Sequence, residues 1–313
     1  MSQIIFRDNE SGTVVSVIIP VYKDLPGLKD TITSLKRCVY PESLRLEIIV
    51  VNDGASEEIS GYCSTEHLVE VSISPNKGSY YARNRGLECS TGSYIGFVDA
   101  DIIVNPDWVA QGVNALSSAD YVAGAIQVLK QNVSQTVVDY QQLIDFNTLW
   151  HMQSMHYGPT ANIWITRKVI AEIGGFNEAL FSGGDMDFGI RVHACGRLTP
   201  VFAERVAVSH PPRNFLGLLQ KSKRLAYGHT VSHGHKSLES KFSFINSVKR
   251  NLGQQSAQRK IPFNVQCLRI FLYGHRLLLK IYYKLFLRDS SFEKVVNSSP
   301  VIQKNDFSLA KEA

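Results

Sequence analysis

The pattern of apolar and polar positions divides the chain in two. Over the first two-thirds, short runs rich in Val and Ile alternate with stretches whose apolar residues recur every three or four positions. The runs predict strands over 14–19, 46–51, 68–73, 94–98, 121–128 and 161–165, with two shorter ones over 198–202 and 206–209. The periodic stretches predict helices over 28–37, 79–88, 106–116, 167–173 and 185–194. Strands that are apolar throughout and separated by helices imply an α/β fold, with a mostly parallel sheet covered on both faces. After Pro211-Pro212 the pattern becomes helical and basic, with helices expected over 215–227 and 263–288. The chain thus reads as an α/β domain over 1–212, a basic amphipathic helical extension over 213–290 and a polar, aperiodic tail over 291–313 expected to be mobile.

Ligands of such sheets bind outside the carboxyl ends of the strands. Here those ends carry Pro20-Val21-Tyr22, Asp53 and Asp99-Ala100-Asp101. In an extended segment, residues i and i+2 point the same way, so Asp99 and Asp101 can act together. Paired carboxylates suit Mn²⁺ or Mg²⁺ carrying a substrate phosphate, and equally suit a turn before Asn105-Pro106. Asp53-Gly54 is a common turn pair, or a carboxylate that accepts from a base or ribose. Lys77-Gly78 opens a helix with Arg83 one turn in, a place for an anion. Arg83 in a structural ion pair is the alternative. In Ser182-Gly183-Gly184-Asp185-Met186-Asp187, the glycines free the backbone to approach a ligand, and Asp185 is either a helix cap or a base. His210 ends a strand, where a lone histidine is more often structural than a metal ligand.

Composition narrows the classes. With 44% apolar and 19% charged residues, 313 residues bury a sizeable core, which excludes disorder and disulfide scaffolds. Five scattered cysteines without a CxxC pair argue against a disulfide framework or zinc site and fit a reducing compartment. No run of 18 apolar residues is free of charge, so no membrane span is expected, and MSQIIFRDNE is not a signal peptide. The net charge of +5 is uneven, because residues 213–288 hold fifteen Lys or Arg against one acid, Glu239. Within 263–288, Arg269, Arg276, Lys280, Lys284 and Arg288 fall on one helical face and Ile, Phe, Leu and Tyr fill the rest. That pattern suits a helix lying on an anionic membrane surface, or one packed on protein. The surroundings of Trp150, His151, His156 and Tyr157 suit sugar stacking, or an ordinary core edge.

The order of the motifs is more specific than any of them. VSVIIPVY, IIVVNDGA, NKGSYYARNRGLECSTGSYIGFVDAD and GGFNEALFSGGDMD follow one another between about Val14 and Arg213. Together they resemble the inverting glycosyltransferases of the GT-A fold, family-2 type. The resemblance implies a three-layer α/β/α catalytic domain over 1–212. It implies transfer of a sugar from a nucleotide-diphosphate donor to a saccharide or lipid-linked acceptor hydroxyl, with Mn²⁺ or Mg²⁺. By position it puts Pro20, Val21 and Tyr22 under the nucleotide base, with Asp53 hydrogen-bonded to that base. Gly78 and Arg83 fall at the nucleotide, Asp99 at the ribose or donor sugar, and Gly175, between Gly174 and Phe176, at the donor sugar. Asp101 falls on the metal ligand, His210 on a further one in some relatives, and Asp185 on the general base. Gly184 stands where the family has Glu, which leaves Asp185 or Asp187 as the base. The Gln-x-x-Arg-Trp motif of processive relatives is missing, so a single transfer is expected, in cell-surface polysaccharide or glycolipid synthesis. The expected place is the cytoplasmic face of the membrane, with no nucleic-acid partner. A nucleotidyltransferase is disfavoured by Pro-Val-Tyr at the first strand's end, and a degenerate scaffold by the four retained acids.

Overall fold

The computed structural model describes residues 12–233 and 261–286. The tail over 291–313 lies outside those residues. Strands β1 (Thr13–Val21), β2 (Leu44–Asp53), β3 (Val69–Ile73), β4 (Tyr94–Val98), β5 (Ile103–Val104), β6 (Tyr121–Val128), β7 (Asn162–Thr166) and β8 (Pro200–His210) form one sheet. Their order is β3-β2-β1-β4-β7-β6-β8-β5. The half from β3 to β4 is parallel, as the apolar runs predict. β7 then enters antiparallel to both β4 and β6, which the alternation of strand and helix did not reveal.

Two cores lie on the two faces of this sheet, which is what makes the domain three-layered. Helices α1 (Leu25–Lys36), α2 (Glu57–Thr65) and α4 (Trp108–Leu116) cover one face, with Leu28, Ile32, Ile59 and Trp108 against Val17, Ile19 and Val50. Helices α3 (Ser79–Cys89), α7 (Arg167–Ile173) and α8 (Gly184–Ala194) cover the other, with Ala82, Ile170 and Phe188 against Ile18, Ile49 and Phe97. Every residue of β2 from Leu46 to Asp53 is buried, because both its faces are covered. Trp108 donates to Asn162 Oδ1 (2.9 Å) and packs on Trp164 at 4.5 Å. Only a residue without a Cβ fits at Gly112, where that atom would lie 2.3 Å from the Trp164 ring.

Some elements differ from the sequence expectation. The strands expected over 198–202 and 206–209 are the single strand β8, whose pairing with β6 shifts register between Gly124 and Ala125. Glu204, Arg205 and Val206 form the resulting bulge, and the exposed, charged pair Glu204 and Arg205 interrupts the apolar run without ending the strand. Helix α2 escaped notice because only Ile59 and Cys63 of it are buried. Residues 135–155 fold as α5 (Gln135–Tyr140), a π-helical turn (Gln141–Asp145) and α6 (Thr148–Met155). Trp150 and His151 are buried there, so they form a core edge and offer no face for sugar stacking.

Helices α9 (Phe215–His233) and α10 (Phe263–Phe286) form a third, smaller core with α5, built on Val137, Tyr140, Leu218, Val265 and Leu272. Arg269, Arg276 and Lys280 do share a face of α10, but that face turns toward protein. Arg269 is 6% exposed and Lys280 9%. Arg269 and Arg276 approach Tyr140 closely enough for their charge to act on its hydroxyl. The Lys284 side chain and Arg288 lie outside what the structure describes.

Candidate active site

The parallel register of β1 and β2 sets Val21 beside Asn52, so the two strands end together. Val21 is buried, and Tyr22 beyond it is exposed, with its ring lying over Gly54. Gly54 has φ +133°, and a Cβ there would come within 2.8 Å of that ring. Asp53 is buried and its carboxylate is well occupied. It accepts from Asn76 Nδ2 (2.9 Å), Lys77 N (2.7 Å) and Gly78 N (2.8 Å). Asp53 therefore fixes the loop that opens α3. Gly78 caps that helix with φ 94°, a conformation that favours glycine.

Helix α3 then carries Arg83 beneath the end of β4. Arg83 is buried, and its Nη2 donates to Asp99 Oδ1 at 2.5 Å. Its Nη1 donates to the carbonyl of Ser79, and its buried Nε has no hydrogen-bond partner among the described residues. Asn84, next along the helix, exchanges hydrogen bonds with the backbone of Phe176 (2.8 and 2.9 Å). That clamp holds Gly174-Gly175-Phe176, and a Cβ on Gly175 would lie 2.5 Å from Asn84 Oδ1. Phe176 itself is buried against Phe188 (4.3 Å) and Phe97 (5.4 Å), so it belongs to the core rather than to the cleft.

The two carboxylates of the 182–187 loop separate clearly. Asp187 is locked in an ion pair with Arg191 (2.9 Å), whose guanidinium also donates to the carbonyls of Ile173 and Gly175. Asp185 accepts from the backbone N of Met186 (3.0 Å), and among the described residues no side chain donates to it. It is half-buried, and that burial pushes its carboxyl above the ordinary carboxylate range. The charges of Arg83 and Asp99 act on it as well, which places the three groups around one cleft. The Tyr80 ring lies directly on Gly184, where a Cβ would be 2.7 Å from it.

Asp101 and His210 meet across the cleft. His210 Nε2 stands 3.8 Å from Asp101 Oδ2. His210 Nδ1 lies 2.5 Å from the carbonyl of Pro211 and donates to it, so Nε2 keeps its lone pair. Burial, then the charge of Arg213, pulls the His210 pKa down to about 4, which keeps the ring in its ligand form. Burial, then Asp99, raises Asp101 to about 6. The carboxylate suits Mn²⁺ or Mg²⁺, and the neutral imidazole lone pair facing it favours Mn²⁺, the transition-metal ion of the two. Among the described residues no three His, Cys, Asp or Glu gather as a closed cage. Two protein donors leave the other positions to substrate phosphate and water, the usual arrangement for such ions.

The structure thus collects Arg83, Asp99, Asp101, Asp185 and His210 around one cleft, with Tyr22, Asp53 and Gly78 at the adjoining strand ends. It also adds groups that sequence reasoning passed over. Arg213 acts on both Asp101 and His210, and its buried Nη1 has no hydrogen-bond partner among the described residues. Gln141 of the π-helical turn holds the Arg213 backbone through two hydrogen bonds (2.9 and 3.0 Å). A π-helical turn is often a functional feature. Arg213 stood in plain view after His210-Pro-Pro, but nothing in its spacing said that it turns back toward Asp101.

Residues 16–176 match the model of the Glycosyl transferase family 2. Glycosyltransferase AglE of Haloferax volcanii is 30% identical over 221 residues, covering 68% of this chain and 72% of AglE. Among solved structures, S. aureus TarS 1–349 in complex with UDP-GlcNAc superposes with a TM-score of 0.51 at 15% identity, over 87% of this chain and 91% of that one. Mannosyltransferase PcManGT of Pyrobaculum calidifontis, in complex with GDP-Man and Mn²⁺, gives a TM-score of 0.55 at 15% identity over 92% of each chain. At these identities the two structures speak for a shared GT-A fold.

Proposed function

The chain belongs to glycosyl transferase family 2, and we propose that it moves one sugar from a nucleotide-diphosphate sugar to an acceptor hydroxyl with inversion at the anomeric carbon. The observation that carries this reading is the division between Asp185 and Asp187. One carboxylate is locked in place, and the other is free to take a proton where Arg83, Asp99, Asp101 and His210 converge. The donors seen with TarS and PcManGT, UDP-GlcNAc and GDP-Man, give the substrate class to test.

The residues divide the work. Tyr22 offers an aromatic face to the nucleotide, beside the Lys77-Gly78 turn whose backbone N–H groups Asp53 holds in place. Arg83 holds Asp99 in place for the ribose or the donor sugar, and the Gly174-Gly175 backbone borders that sugar. Asp101 and His210 would hold Mn²⁺ or Mg²⁺, which supplies Lewis-acid neutralisation of diphosphate charge. Arg213 adds a fixed positive charge on the same side. Asp185 accepts the proton of the acceptor hydroxyl while its oxygen forms the new bond to the anomeric carbon. The bond from that carbon to the diphosphate oxygen breaks, and the nucleoside diphosphate leaves with the electron pair. Attack from the side opposite the leaving group inverts the centre. The acceptor is a saccharide or a lipid-linked sugar, and the product belongs to cell-surface polysaccharide or glycolipid synthesis.

A calorimetric panel of UDP- and GDP-sugars, with and without Mn²⁺, tests the donor side. Binding of at least one donor that strengthens with Mn²⁺ is expected. No binding of any nucleotide sugar, in either condition, overturns the proposal.

A further inference from the structure

Helix α10 faces the wrong way round for a helix in contact with water. Val265, Arg269, Leu272, Arg276, Lys280 and Tyr283 recur at helical spacing and form the inner side. The outer side holds Phe263 (83% exposed), Ile270, Phe271, Leu278 (70%) and Tyr282, with no charged residue among them. At the start of α9, Leu216 (66%) and Phe215 continue this surface, and Phe215 stacks on Phe271 at 5.8 Å. Single exposed apolar side chains are ordinary, but a contiguous patch of this kind marks an interaction surface.

Charge decides what covers it. Lys223 and Arg224 are exposed on α9, and residues 213–233 and 261–286 contain no acid at all. A second copy seated on this face would bring like charge against like charge. An anionic lipid surface supplies the missing counter-charge and an apolar layer in one partner, and attracts each nearby Lys or Arg by about 1 kcal/mol. We propose that the outward face of α10, with Phe215 and Leu216, docks on an anionic lipid surface, its apolar side chains entering the headgroup boundary.

The docking stands on this surface alone and does not depend on the transfer reaction. One consequence does rest on that reading. Tyr227 of α9 packs on Tyr283 (5.6 Å) and on Phe181 (5.3 Å), which lies four residues before Asp185. Gly228 of α9 abuts Ser182, where a Cβ would clash at 2.1 Å. The lipid-facing helices thus touch the loop that carries the base, which would bring a lipid-linked acceptor to the side of the fold that holds Asp185.

Flotation of the full chain with vesicles tests the docking. Wild-type protein should float with phosphatidylglycerol-containing vesicles at low salt and much less with phosphatidylcholine alone. Ile270→Glu/Leu278→Glu should lose binding by roughly 10-fold or more, as the loss of two buried aliphatic side chains predicts. Lys223→Glu/Arg224→Glu should weaken it most at low salt. A second readout needs no variant: Cys267 and Cys89 are both exposed, and Cys267 lies on the outward side of α10. Anionic vesicles should slow maleimide labelling of Cys267 and leave Cys89 unchanged. Wild-type protein that stays unbound at low salt overturns the proposal. So does equal flotation of the Ile270→Glu/Leu278→Glu variant, or a dimer in light scattering that this variant splits without any vesicle binding. Donor binding that persists through such a failure would leave the transfer reading intact.

Discussion

The sheet domain and the terminal helix pair distribute charge in opposite ways. In the sheet domain, Val, Ile and Phe fill both cores, and Asp53, Asp99 and Asp101 gather at one edge with Asp185 across the cleft. In the helix pair, Arg269 and Lys280 lie inside while Phe263 and Leu278 face outward. Water explains the first arrangement. It does not explain the second, because shielding a cation from water carries a cost that exposing Leu and Phe only increases. Hydrophobic periodicity finds a helix and its two faces, but which face turns inward depends on the medium outside.

The sharpest way to break this contrast is to remove the chemistry from the polar edge. Asp185→Asn keeps the shape of the side chain and removes its capacity to take a proton. Transfer should fall by roughly 10²–10⁴-fold in single-turnover assays. Donor affinity, measured by calorimetry, should hold. A variant that transfers at the wild-type rate would remove Asp185 from the base role.

A second prediction breaks the other side, where charge lies inside the helices. Lys221 of α9 pairs with Asp145 at 2.9 Å, and burial lowers its pKa. Lys221→Met leaves Asp145 unpaired and should cost up to about 3–5 kcal/mol in denaturant unfolding, less to the extent that water reaches the pair. Lys221→Met/Asp145→Leu should recover most of that loss. If the double variant is as unstable as the single one, the pair does more than satisfy two charges, and its link to the cleft through Phe146 and His210 is the place to look.

The third prediction concerns the metal. Asp101→Asn should weaken Mn²⁺-dependent binding of a nucleoside diphosphate beyond the roughly 10–100-fold that loss of an outer-shell partner typically costs. Metal-independent affinity should change little. An unaltered Mn²⁺ dependence would move the ion elsewhere in the cleft.

Much of this was legible in the sequence. The apolar runs gave the parallel half of the sheet because buried strands need side chains that are apolar on both faces. The motif order led to Arg83, Asp99, Asp101 and Asp185, and the structure groups them. Three things were not legible. β7 enters antiparallel because topology, not composition, sets its direction. Asp53 spends its carboxylate on the Asn76–Gly78 loop, which a turn pair does not disclose. The basic stripe of α10 was visible, but its inward direction depends on Tyr140 and α9, which are remote in sequence.

The smallest expected effect lies between two carboxylates two residues apart. Burial raises the Asp185 carboxyl against the weaker opposing pull of the Met186 hydrogen bond. In the unfolded chain the same group ionises near about pH 3.9. The folded state therefore loses stability as pH rises from that value through the raised folded one, and remains less stable at neutral pH. Asparagine cannot ionise, so Asp185→Asn should raise the Tm at neutral pH, and the gain should vanish below about pH 3.9. Asp187 is held by Arg191 in an i,i+4 pair, a contact worth about 0.3–0.5 kcal/mol. Asp187→Asn should lower the Tm by no more than that implies, because Arg191 keeps its bonds to the Ile173 and Gly175 carbonyls. The two substitutions should therefore move thermal melting in opposite directions at neutral pH. If both move it the same way, the separation between a free base and a locked neighbour fails, and the proton acceptor must be sought by kinetics at both positions.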